Sequence, residues 1–561
     1  MSKIVSIAKE QIYSQIVNAA KSAMDKELLP KAELTDFVIE VPSNREHGDY
    51  AVNAAMVWSR VFRNAPRKIA ETIMGEVDFS GTYIEKYEIA GPGFINLFLN
   101  DKYYADVVND VVACGDNYGR SDYGENKRVL VEFVSANPTG PMHIGNARGG
   151  ALGDCLAAVL DAAGYSVERE FYINDAGNQI NKFALSLDLR YQQIYSDGIE
   201  MPEDSYHGAD IVAHAEAFAK INGDKYMSAD EKTRRKALVD FALPKNIQGL
   251  HDDLLKYRIV YDTWFRESSL HQNGEAMKVV ELLKESGHTY ENEGALWFRG
   301  TDFGSDDFVL VRANGVPTYI VPDIAYHYNK LVVRNFDKAI DILGADHHGY
   351  VPRLKGALTA LGVDAARLDV VLMQMVRLVR NGEVIKASKR SGKSITLVTL
   401  LDEVPIDAAR FFFNLREANS HFDFDLDLAV EQSSQNPVYY VQYAYARICS
   451  IMRNLAADGI ERVAADKCDL TLLNTAEERD LIIHLSSLTD EVITAAKVYD
   501  PAKMTHYVNE LATKFHKFYN ACRVRGIDEG LMHSRLALCE ATGIAIKNVL
   551  NLMKIDAPES M

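Results

Sequence analysis

One stretch of this sequence limits the possible folds more than any other: two apolar, β-branched runs separated by a helical segment. The runs are RVLVEFV at 128–134 and SVEREFYI at 166–173, and residues 143–164 between them carry apolar side chains at helical spacing. Buried parallel strands have this continuous apolar character. A strand–helix–strand connection is right-handed in nearly all proteins. The stretch therefore predicts a β–α–β unit, the building block of a parallel sheet.

Three more candidate strands follow, at 308–312, 338–344 and 367–376, with helical stretches between them. This alternation predicts an α/β fold with a doubly wound, Rossmann-type parallel sheet. Such sheets bind ligands at the carboxyl ends of their strands. The charged, mostly helical residues at about 185–290 are predicted to form an insertion within the sheet domain.

Changes in composition divide the 561 residues into four predicted regions. They are an N-terminal α+β domain (1–120), the Rossmann-type domain (121–405), a connecting segment (406–432) and a C-terminal α-helical bundle (433–561). A Gly- and Asp-rich polar run at 114–127 predicts the linker between the first two. In the last region, apolar residues spaced by three and four predict a helix over 436–455, with Pro437 in its first turn.

The overall composition excludes several classes of protein. Hydrophobic residues make up 47% of the chain and charged residues 25%, which is typical of globular proteins and not of disordered or coiled-coil ones. No run approaches the ~18 apolar residues of a membrane span, and the amphipathic N-terminal segment lacks the solid apolar block of a signal peptide. Six cysteines without a CxxC pair predict neither a disulfide scaffold nor a zinc ribbon. We therefore expect a cytoplasmic location and no membrane partner.

The net charge of −18 argues against non-specific coating of nucleic acid, and DNA is not an expected partner. The charge is uneven along the chain. Residues 433–561 contain 14 basic and 16 acidic residues, so nearly all of the negative charge lies in residues 1–432. A nearly neutral C-terminal region leaves room for local basic patches.

A first candidate for a phosphate-binding site is the junction HIGN at 143–146, where the loop after the first strand meets a helix. The free N–H groups and the positive dipole end of a helix N-terminus attract anions, and Gly145 lets a flat base approach the backbone. On its own, such a four-residue pattern is more often an ordinary helix cap with a surface histidine.

A second candidate is the run KASKR at 386–390, in the loop after the last predicted strand. Lys386 and Lys389, followed by SGK, form a cationic loop suited to clamping a triphosphate and releasing pyrophosphate. On its own, a charge run of this kind is more often a solvated surface loop. Because the two candidates follow the opening and the closing strand, a doubly wound sheet would bring both to one crevice.

Together, the two runs resemble the HIGH and KMSKS signatures of the class I aminoacyl-tRNA synthetases. Longer blocks narrow the resemblance to the arginyl-tRNA synthetase family. They are EFVSANPTGPMHIGN (132–146), FYINDAGNQ (171–179), GVPTYIVPDIAY (315–326), RFFFNLREANSHFDFDLDLA (410–429) and NPVYYVQYAYAR (436–447). The resemblance covers essentially the whole chain.

The resemblance implies a reaction in two steps. Arginine and ATP form arginyl-adenylate and pyrophosphate, and the arginine then moves to the 3′-terminal adenosine of tRNA(Arg). It also implies that tRNA is needed for the first step, that Mg²⁺ accompanies the ATP phosphates, and that the protein is a monomer. The N-terminal domain resembles the family's domain that contacts the tRNA elbow. Asp346 and His348 lack a third and fourth ligand, so no tightly bound protein metal is expected.

The resemblance also assigns residues to each ligand. For ATP they are Pro138, Gly140, Met142, His143, Gly145, Asn146, Asp346, His347, Lys386, Ser388 and Lys389. Four of these carry the catalytic role: His143, Asn146, Lys386 and Lys389. The arginine-binding residues are Glu132, Ser135, Asn137, Tyr319, Asp323 and His347. The residues for tRNA are Tyr440, Gln442, Tyr443 and Arg447.

The chemistry of the substrate agrees with one of these assignments. A guanidinium needs a carboxylate partner beside an aromatic ring or hydroxyl, and Tyr319 and Asp323, four residues apart, share a face on a helical turn. The same pair also fits a structural contact at the end of a strand. On helical periodicity alone, the aromatic residues at 436–447 are more often core than platforms for bases.

Two departures from the signatures keep alternatives open. Asn146 stands where the first signature has its second histidine, and Ala387 stands where the second has methionine. Asn146 can still donate a hydrogen bond but cannot carry a proton. A catalytically silent tRNA-binding paralogue is therefore one alternative. A small-molecule nucleotidylyltransferase with the same histidine–glycine helix is the other.

Overall fold

The N-terminal region packs two longer helices and three short ones against a small antiparallel sheet. The computed structural model describes residues 3–42, 44–385 and 395–561. The helices are α1 (Lys3–Asp25), α2 (Ala54–Val57), α3 (Ser59–Phe62), α4 (Pro66–Met74) and α5 (Asp101–Cys114). The strands are β1 (Ile39–Glu40), β2 (Tyr50–Val52), β3 (Ile84–Ala90) and β4 (Phe94–Leu99), in the order β1-β2-β4-β3. The predicted apolar stripe of α1 is confirmed, because Ala8, Ile12, Ile16 and Ala20 are buried along one side.

The middle region contains the large parallel sheet, two smaller sheets and the helices around them. Its strands are β5 (Arg128–Glu132), β6 (Ser166–Ile173), β7 (Thr263–Arg266), β8 (Thr289–Asn292), β9 (Ala295–Phe298), β10 (Phe308–Val311), β11 (Lys338–Gly344), β12 (Leu368–Met373), β13 (Val376–Arg380), β14 (Glu383–Val384) and β15 (Phe422–Asp425). Its helices are α6 (Ile144–Ala162), α7 (Gly177–Gln193), α8 (Ala209–Asn222), α9 (Glu231–Lys256), α10 (Glu267–Gln272), α11 (Glu275–Glu285), α12 (Ile320–Tyr328), α13 (Val351–Ala360), α14 (Leu397–Glu403), α15 (Ile406–Phe413) and α16 (Leu426–Val430).

Five of these strands form the predicted parallel sheet, in the order β12-β11-β5-β6-β7. The strand order reverses at β5, since β6 follows on one side and β11 lies on the other. A ligand crevice opens at such a switch point, beyond the carboxyl ends of the strands. The strands predicted at 166–173 and 338–344 are confirmed to the residue.

Two predicted strands belong elsewhere. The run at 308–312 was expected in the parallel sheet, but β10 lies in a separate antiparallel sheet of order β10-β9-β8. A short apolar run does not reveal the direction of its partner. Glu293 and Gly294, both with positive φ angles, form the tight turn of the β8–β9 hairpin, and β10 adds to that hairpin by pairing antiparallel with β9. The run at 367–376 is divided: β12 ends in the parallel sheet, and β13 pairs with β14 and β15 in another.

The helical insertion is shorter than the predicted range. Helices α7, α8 and α9 pack around their own core, which includes Phe183, Leu187 and Phe218. Strand β7, which the prediction placed inside the insertion, is the edge strand of the parallel sheet. Its signal was hidden because it has only four residues amid charged neighbours. Trp264 of β7 stacks on the ring of Phe171 at 4.5 Å and joins the sheet's core.

The C-terminal region is a helical bundle, as predicted. Its helices are α17 (Pro437–Ala457), α18 (Ala476–Ser486), α19 (Leu488–Val498), α20 (Ala502–Ala521) and α21 (Glu529–Leu552). Pro437 occupies the first turn of α17, and the Asn436 side chain accepts the Val438 N–H to cap it. Within the part of the chain that the structure describes, no helix is both long enough and apolar enough to cross a membrane.

The polar segment at 114–127 is anchored to the bundle and does not run free between domains. The Tyr118 hydroxyl donates to the Leu485 carbonyl at 2.8 Å, and the Asn548 side chain donates to the Tyr118 carbonyl at 3.0 Å. Arg479 of α18 forms an ion pair with Asp101 at the start of α5. These contacts hold the first and last regions of the chain together.

Candidate active site

The loop after β5 begins with two residues in a strained backbone conformation. Val134 has a φ of 69° and Ser135 a φ of 41°, which is the left-handed region that residues with side chains rarely adopt. The Ser135 hydroxyl donates to Glu132 at 2.8 Å and accepts the Tyr172 N–H at 3.1 Å. Strain of this kind persists where the surroundings enforce it, and it is frequent at functional sites. The predicted residues Glu132 and Ser135 therefore lie in a tightly shaped turn at the centre of the sheet.

The first predicted motif lies at the start of α6. His143 is the residue before the helix, and its backbone N–H donates to Asn146 Oδ1 at 3.0 Å. Asn146 is thus the third helical residue of a capping box. Because its oxygen is occupied, its amide nitrogen is the group that remains to donate to a ligand. His143 itself is exposed.

One flank of the second predicted motif, at residues 395–397, lies directly against the first motif. Residues 386–394, and with them the predicted Lys386, Ser388 and Lys389, lie outside the described residues. On one side of this stretch, the Ile385 N–H donates to the Leu378 carbonyl at 2.8 Å. On the other side, the Leu397 N–H donates to the Met142 carbonyl at 2.9 Å, and the Ile144 N–H donates to the Ile395 carbonyl at 3.2 Å. Residues 395–397 thus meet the first motif, and the meeting of the two motifs themselves stays a prediction.

The next ATP candidates lie in the loop between β5 and α6 and in the first turn of α6. Pro138 is buried, and its carbonyl accepts from the Asn246 side chain of α9 at 3.0 Å. Met142 is buried beneath the start of α6. A Cβ on Gly145 would meet nothing within 4 Å, so the space over this turn is open to a ligand. A Cβ on Gly140 would come within 3.6 Å of Asp210.

Asp346 and His347 lie in a short turn at the carboxyl end of β11, where both are exposed. This places them on the other side of the switch point from the start of α6. Asn137, in the loop after β5, is exposed as well. Among residues 3–42, 44–385 and 395–561, no three His, Cys, Asp or Glu side chains converge as metal ligands would.

The predicted arginine pair stands at the start of α12. Tyr319 precedes the helix and is 63% exposed, whereas Asp323 in its first turn is largely enclosed. The Tyr350 hydroxyl donates to Asp323. Burial raises the pKa of the Asp323 carboxyl, although His327 and the hydrogen bond from Tyr350 oppose the rise. The pair thus offers an open ring beside an enclosed carboxylate.

The structure adds two residues that the sequence analysis missed. Glu267, the first residue of α10, and Tyr172 of β6 are both buried next to Asp323. Burial raises the pKa of Glu267, and so does the charge of Asp323. The pKa of Tyr172 is raised by burial and by the charges of Asp323, Glu267 and Glu132. Glu267 gave no signal because it lies in an otherwise ordinary charged stretch, far along the chain from any motif. An enclosed group of like charges favours a cationic ligand.

A buried ionic network adjoins this acidic pocket. Lys330, which is 0% exposed on a π-helical turn after α12, lies 2.5 Å from Glu132 and 2.8 Å from Asp341. His327 lies 2.6 Å from the other oxygen of Asp341. Although burial opposes it, Lys330 and His327 hold the pKa of Asp341 well below its usual range. Glu132 is bound by Lys330 and Ser135, yet a carboxylate has about four lone-pair positions and can accept one donor more.

The predicted tRNA residues divide into two groups on α17. The rings of Tyr440 and Tyr443 lie 4.8 and 6.0 Å from the ring of His516 on α20. The Arg447 guanidinium lies 4.6 Å from the centre of the Tyr443 ring and donates to its hydroxyl at 2.6 Å. Tyr443 is 38% exposed, so this face is open to a stacking partner.

Gln442 does not share this face, and its role in tRNA binding stays a prediction. Its side-chain amide donates to Asp407 at 2.8 Å and to the Asp556 carbonyl at 2.9 Å. Residues 440, 443 and 447 are spaced by three and four and face the same way, whereas 442 points about 100° away from 443. Gln442 therefore joins α17 to α15 and to the C-terminal tail.

Comparisons with known proteins agree with this geometry. The family model of the arginyl tRNA synthetase N terminal domain matches residues 10–99. The model of the class I (R) tRNA synthetase catalytic domain matches residues 107–431, and that of the DALR anticodon binding domain matches residues 441–561. A solved structure, the Thermus thermophilus arginyl-tRNA synthetase, superposes with a TM-score of 0.74 at 21% identity, covering 97% of this chain and 99% of that one. This likeness supports the fold.

Two curated relatives extend the match to the full sequence. The chain is 50% identical over 564 residues to the arginine–tRNA ligase of Acetivibrio thermocellus. It is 52% identical over 562 residues to that of Caldanaerobacter subterraneus subsp. tengcongensis, and both matches cover 100% of this chain and of the relative. The protein therefore belongs to the class I arginyl-tRNA synthetases, the ATP-dependent ligases that activate arginine and attach it to tRNA.

Proposed function

We propose that both steps take place in the crevice over β5 and β11, with the residue roles given below. The observation that carries this proposal is the pairing of residues 395–397 with residues 142–144, beside the pocket that encloses Asp323 and Glu267. It supports a nucleotide site and a guanidinium site that share one opening. A nucleotidylyltransferase acting on other small molecules would have no use for so acidic a pocket.

The arginine side chain enters the acidic pocket. Asp323 receives the guanidinium, with Glu267 as a second carboxylate and the Tyr319 ring at the entrance. Two carboxylates in an enclosed space fit a planar cation that donates five hydrogen bonds. Glu132 holds the α-ammonium group, since its contacts with Lys330 and Ser135 leave its carboxylate an acceptor position.

The backbone end of arginine and the nucleotide then meet between the two motifs. Asn137 and Ser135 position the α-amino and carboxylate ends of arginine, and His347 lies across the crevice from them. The other ATP candidates, Pro138, Gly140, Met142, Gly145, Asp346 and Ser388, surround the nucleotide. Reactants held in this way need little further ordering to react.

The activation step requires charge stabilisation more than proton transfer. A carboxylate oxygen of arginine attacks the α-phosphorus in line, and the bond from that phosphorus to the bridging oxygen of pyrophosphate breaks. His143 and Asn146 donate to the oxygens that gain charge, and Lys386 and Lys389 neutralise the departing pyrophosphate. Mg²⁺ arrives with the ATP phosphates as part of the substrate and adds positive charge there.

A cavity at the entrance of the arginine pocket suits the transfer step. It has a volume of about 700 Å³, adjoins Tyr319 and Glu267, and is also lined by Asn181, His271 and Arg312. Its position next to the arginine pocket suits the 3′ end of tRNA. A ribose hydroxyl of the terminal adenosine attacks the arginyl carbonyl there and forms the new ester. The carbonyl–oxygen bond of the mixed anhydride breaks, and AMP leaves with its electron pair while the hydroxyl proton passes to the departing phosphate.

The rest of the tRNA lies along the helical bundle and the N-terminal domain. Tyr440, Tyr443 and Arg447 offer stacking and charge to unpaired bases. We also propose that the enzyme acts as a monomer in the cytoplasm. Sedimentation of the protein without tRNA tests the oligomeric state, and a mass twice the 62.6 kDa of one chain would contradict a monomer.

The decisive experiment is the exchange of labelled pyrophosphate into ATP. We expect exchange only with arginine, and only when tRNA is present. Exchange that needs no amino acid would support a nucleotidylyltransferase. A complete lack of exchange, with intact tRNA binding, would support a silent paralogue. Exchange supported by lysine or citrulline at arginine's level would contradict the acidic pocket.

A further inference from the structure

Arg148 is a buried charge that the reaction described above does not use. It lies on α6, two residues after Asn146, and is 0% exposed. Its guanidinium donates to three backbone carbonyls: Gln374 at 2.8 Å, Glu417 at 2.9 Å and Ser420 at 3.1 Å. Among the described residues, no carboxylate pairs with it. The buried Arg410 and Arg535, by contrast, bind Asp154 and Glu478.

Such a side chain is retained at a cost in stability. A buried cation without a carboxylate is unfavourable, and an apolar residue of similar volume would often serve the core better. Burial lowers the pKa of the Arg148 guanidinium to about 10, which still leaves it charged near neutral pH. Its three carbonyl partners and the Phe422 ring, 5.6 Å away, offset part of the loss. This cost suggests a task other than packing.

The three carbonyls belong to segments that meet at the nucleotide site. Gln374 lies between β12 and β13, and the hairpin of β13 and β14 leads to the second motif. Glu417 and Ser420 lie in the loop before β15, and the Gln374 N–H donates to Ala418 of that loop at 2.9 Å. Arg148 therefore ties the helix of the first motif to the root of the second and to the 417–420 loop.

The 417–420 loop is in turn held by the helical bundle. Just before it, the Asn414 carbonyl lies 2.9 Å from the hydroxyl of Thr505, and the Leu415 carbonyl lies 3.2 Å from His506 Nε2. Both of these side chains are on α20. The same helix carries His516, against which the tRNA-facing rings of α17 pack. Eleven residues of helix span about 16 Å between the two contacts.

We propose that Arg148 is a positioning residue that couples tRNA binding at the α17–α20 face to the nucleotide end of α6. The proposal rests on the tRNA face proposed above. When tRNA shifts α20, the segment 414–420 follows, and Arg148 transfers the shift to both motifs. The planar guanidinium of arginine suits this task, because its several N–H groups hold carbonyls of different segments in one fixed arrangement.

The coupling is measured as the ratio of two dissociation constants of tRNA(Arg), one without and one with a bound adenylate analogue. This ratio does not depend on turnover. The dissociation constant of tRNA(Arg) is determined alone and with a non-hydrolysable arginyl-adenylate analogue. We expect the analogue to tighten tRNA binding about fivefold or more in the natural enzyme. In Arg148→Lys, which keeps the charge but loses the planar guanidinium, we expect a ratio below about twofold, with tRNA binding alone little changed.

A second variant probes the other end of the same path. Thr505→Val removes the hydroxyl next to Asn414 with little change in volume, so it also covers the case in which Arg148→Lys folds poorly. We expect it to lower the ratio, and the double variant to lose no more than Arg148→Lys alone, because both act on one path.

Two matched controls should keep the natural ratio. They are Arg535→Lys, a buried arginine within the bundle, and Thr542→Val, whose hydroxyl bonds only to Leu538 of its own helix.

Several results would overturn the proposal. They are a natural ratio near one, an unchanged ratio in both Arg148→Lys and Thr505→Val, or an equal loss in the controls. A failure of the proposed function has a different signature. In that case arginine-dependent pyrophosphate exchange is missing from the natural enzyme, whatever the ratio of tRNA affinities.

Discussion

The acidic pocket of the crevice and the aromatic face of the helical bundle are built in opposite ways. In the pocket, charged groups are buried, and one of them, Glu132, is already paired with Lys330. On the bundle, Tyr443 and Arg447 stack on each other at an open surface. A small cation is recognised by charges shielded from water and held in advance, whereas a nucleic acid is recognised by exposed rings on which bases stack. Substitutions in the pocket should therefore change the kinetic constants and the free energy of unfolding more than substitutions on the aromatic face do.

The largest effect is expected for Asp323→Asn. The change leaves a buried amide where the guanidinium needs a negative charge, so we expect kcat/KM for arginine to fall about 1000-fold. Aminoacylation at saturating tRNA measures it. Asp240→Asn, at an exposed pair on α9, is the matched control and should be neutral. An unchanged KM for arginine in Asp323→Asn would remove this residue from the site.

Lys330→Met tests whether the pocket is held by its buried network. Removing the ammonium leaves Glu132 and Asp341 uncompensated in the interior, so we expect the free energy of unfolding to fall by about 3–5 kcal/mol. Urea unfolding followed by circular dichroism measures it. Lys236→Met, which breaks an exposed pair, should change this free energy by less than about 0.5 kcal/mol. Similar losses in the two variants would contradict the role of the network.

Arg447→Ala tests the aromatic face. Loss of the cation that stacks on Tyr443 should raise the KM for tRNA about tenfold, with the KM for arginine unchanged. Arg453→Ala is a control on the same helix, because that side chain binds the Glu559 carbonyl of the C-terminal tail. If the two variants raise the tRNA KM equally, this face has no special part in tRNA binding.

The two regions should also differ in their response to acid. Burial raises the pKa values of Asp323 and Glu267, so these groups take up protons at a higher pH than exposed carboxyls do. Arginine kcat/KM should therefore be full above the raised values and fall several-fold on acidification from about pH 8 to about pH 5.

Burial lowers the pKa of His516, which stays neutral over most of that range. The KM for tRNA should accordingly change less than about twofold. Titration of both kinetic constants at fixed ionic strength measures the difference. An equal pH dependence for arginine and tRNA would contradict the contrast between pocket and face.

The smallest effect is expected for Gln442→Ala. Because this side chain binds Asp407 and the Asp556 carbonyl, its loss should lower the free energy of unfolding by about 1 kcal/mol. The KM for tRNA should stay within about twofold of its natural value. A tRNA defect as large as that of Arg447→Ala would return Gln442 to the binding face.

Prediction from the sequence succeeded where the signal is local. The strands at 166–173 and 338–344 and the helix beginning at Pro437 are each encoded by the spacing of their own residues. Prediction missed β7, whose four residues lie amid charged neighbours, and placed β10 in the wrong sheet, because a run of four or five residues does not specify its partner. It also missed Glu267, which joins the pocket only because α10 folds back against α12.

By itself, the sequence determined the order of elements, the two motifs and the pair at 319 and 323, since periodicity and motif spacing are properties of neighbouring residues. Only the tertiary structure decided which charges are buried together. Lys330 meets Glu132 across 198 positions, and Arg148 meets Ser420 across 272. Burial and charge pairing arise when distant segments exclude water jointly, so these groups acquire their properties only in the folded chain.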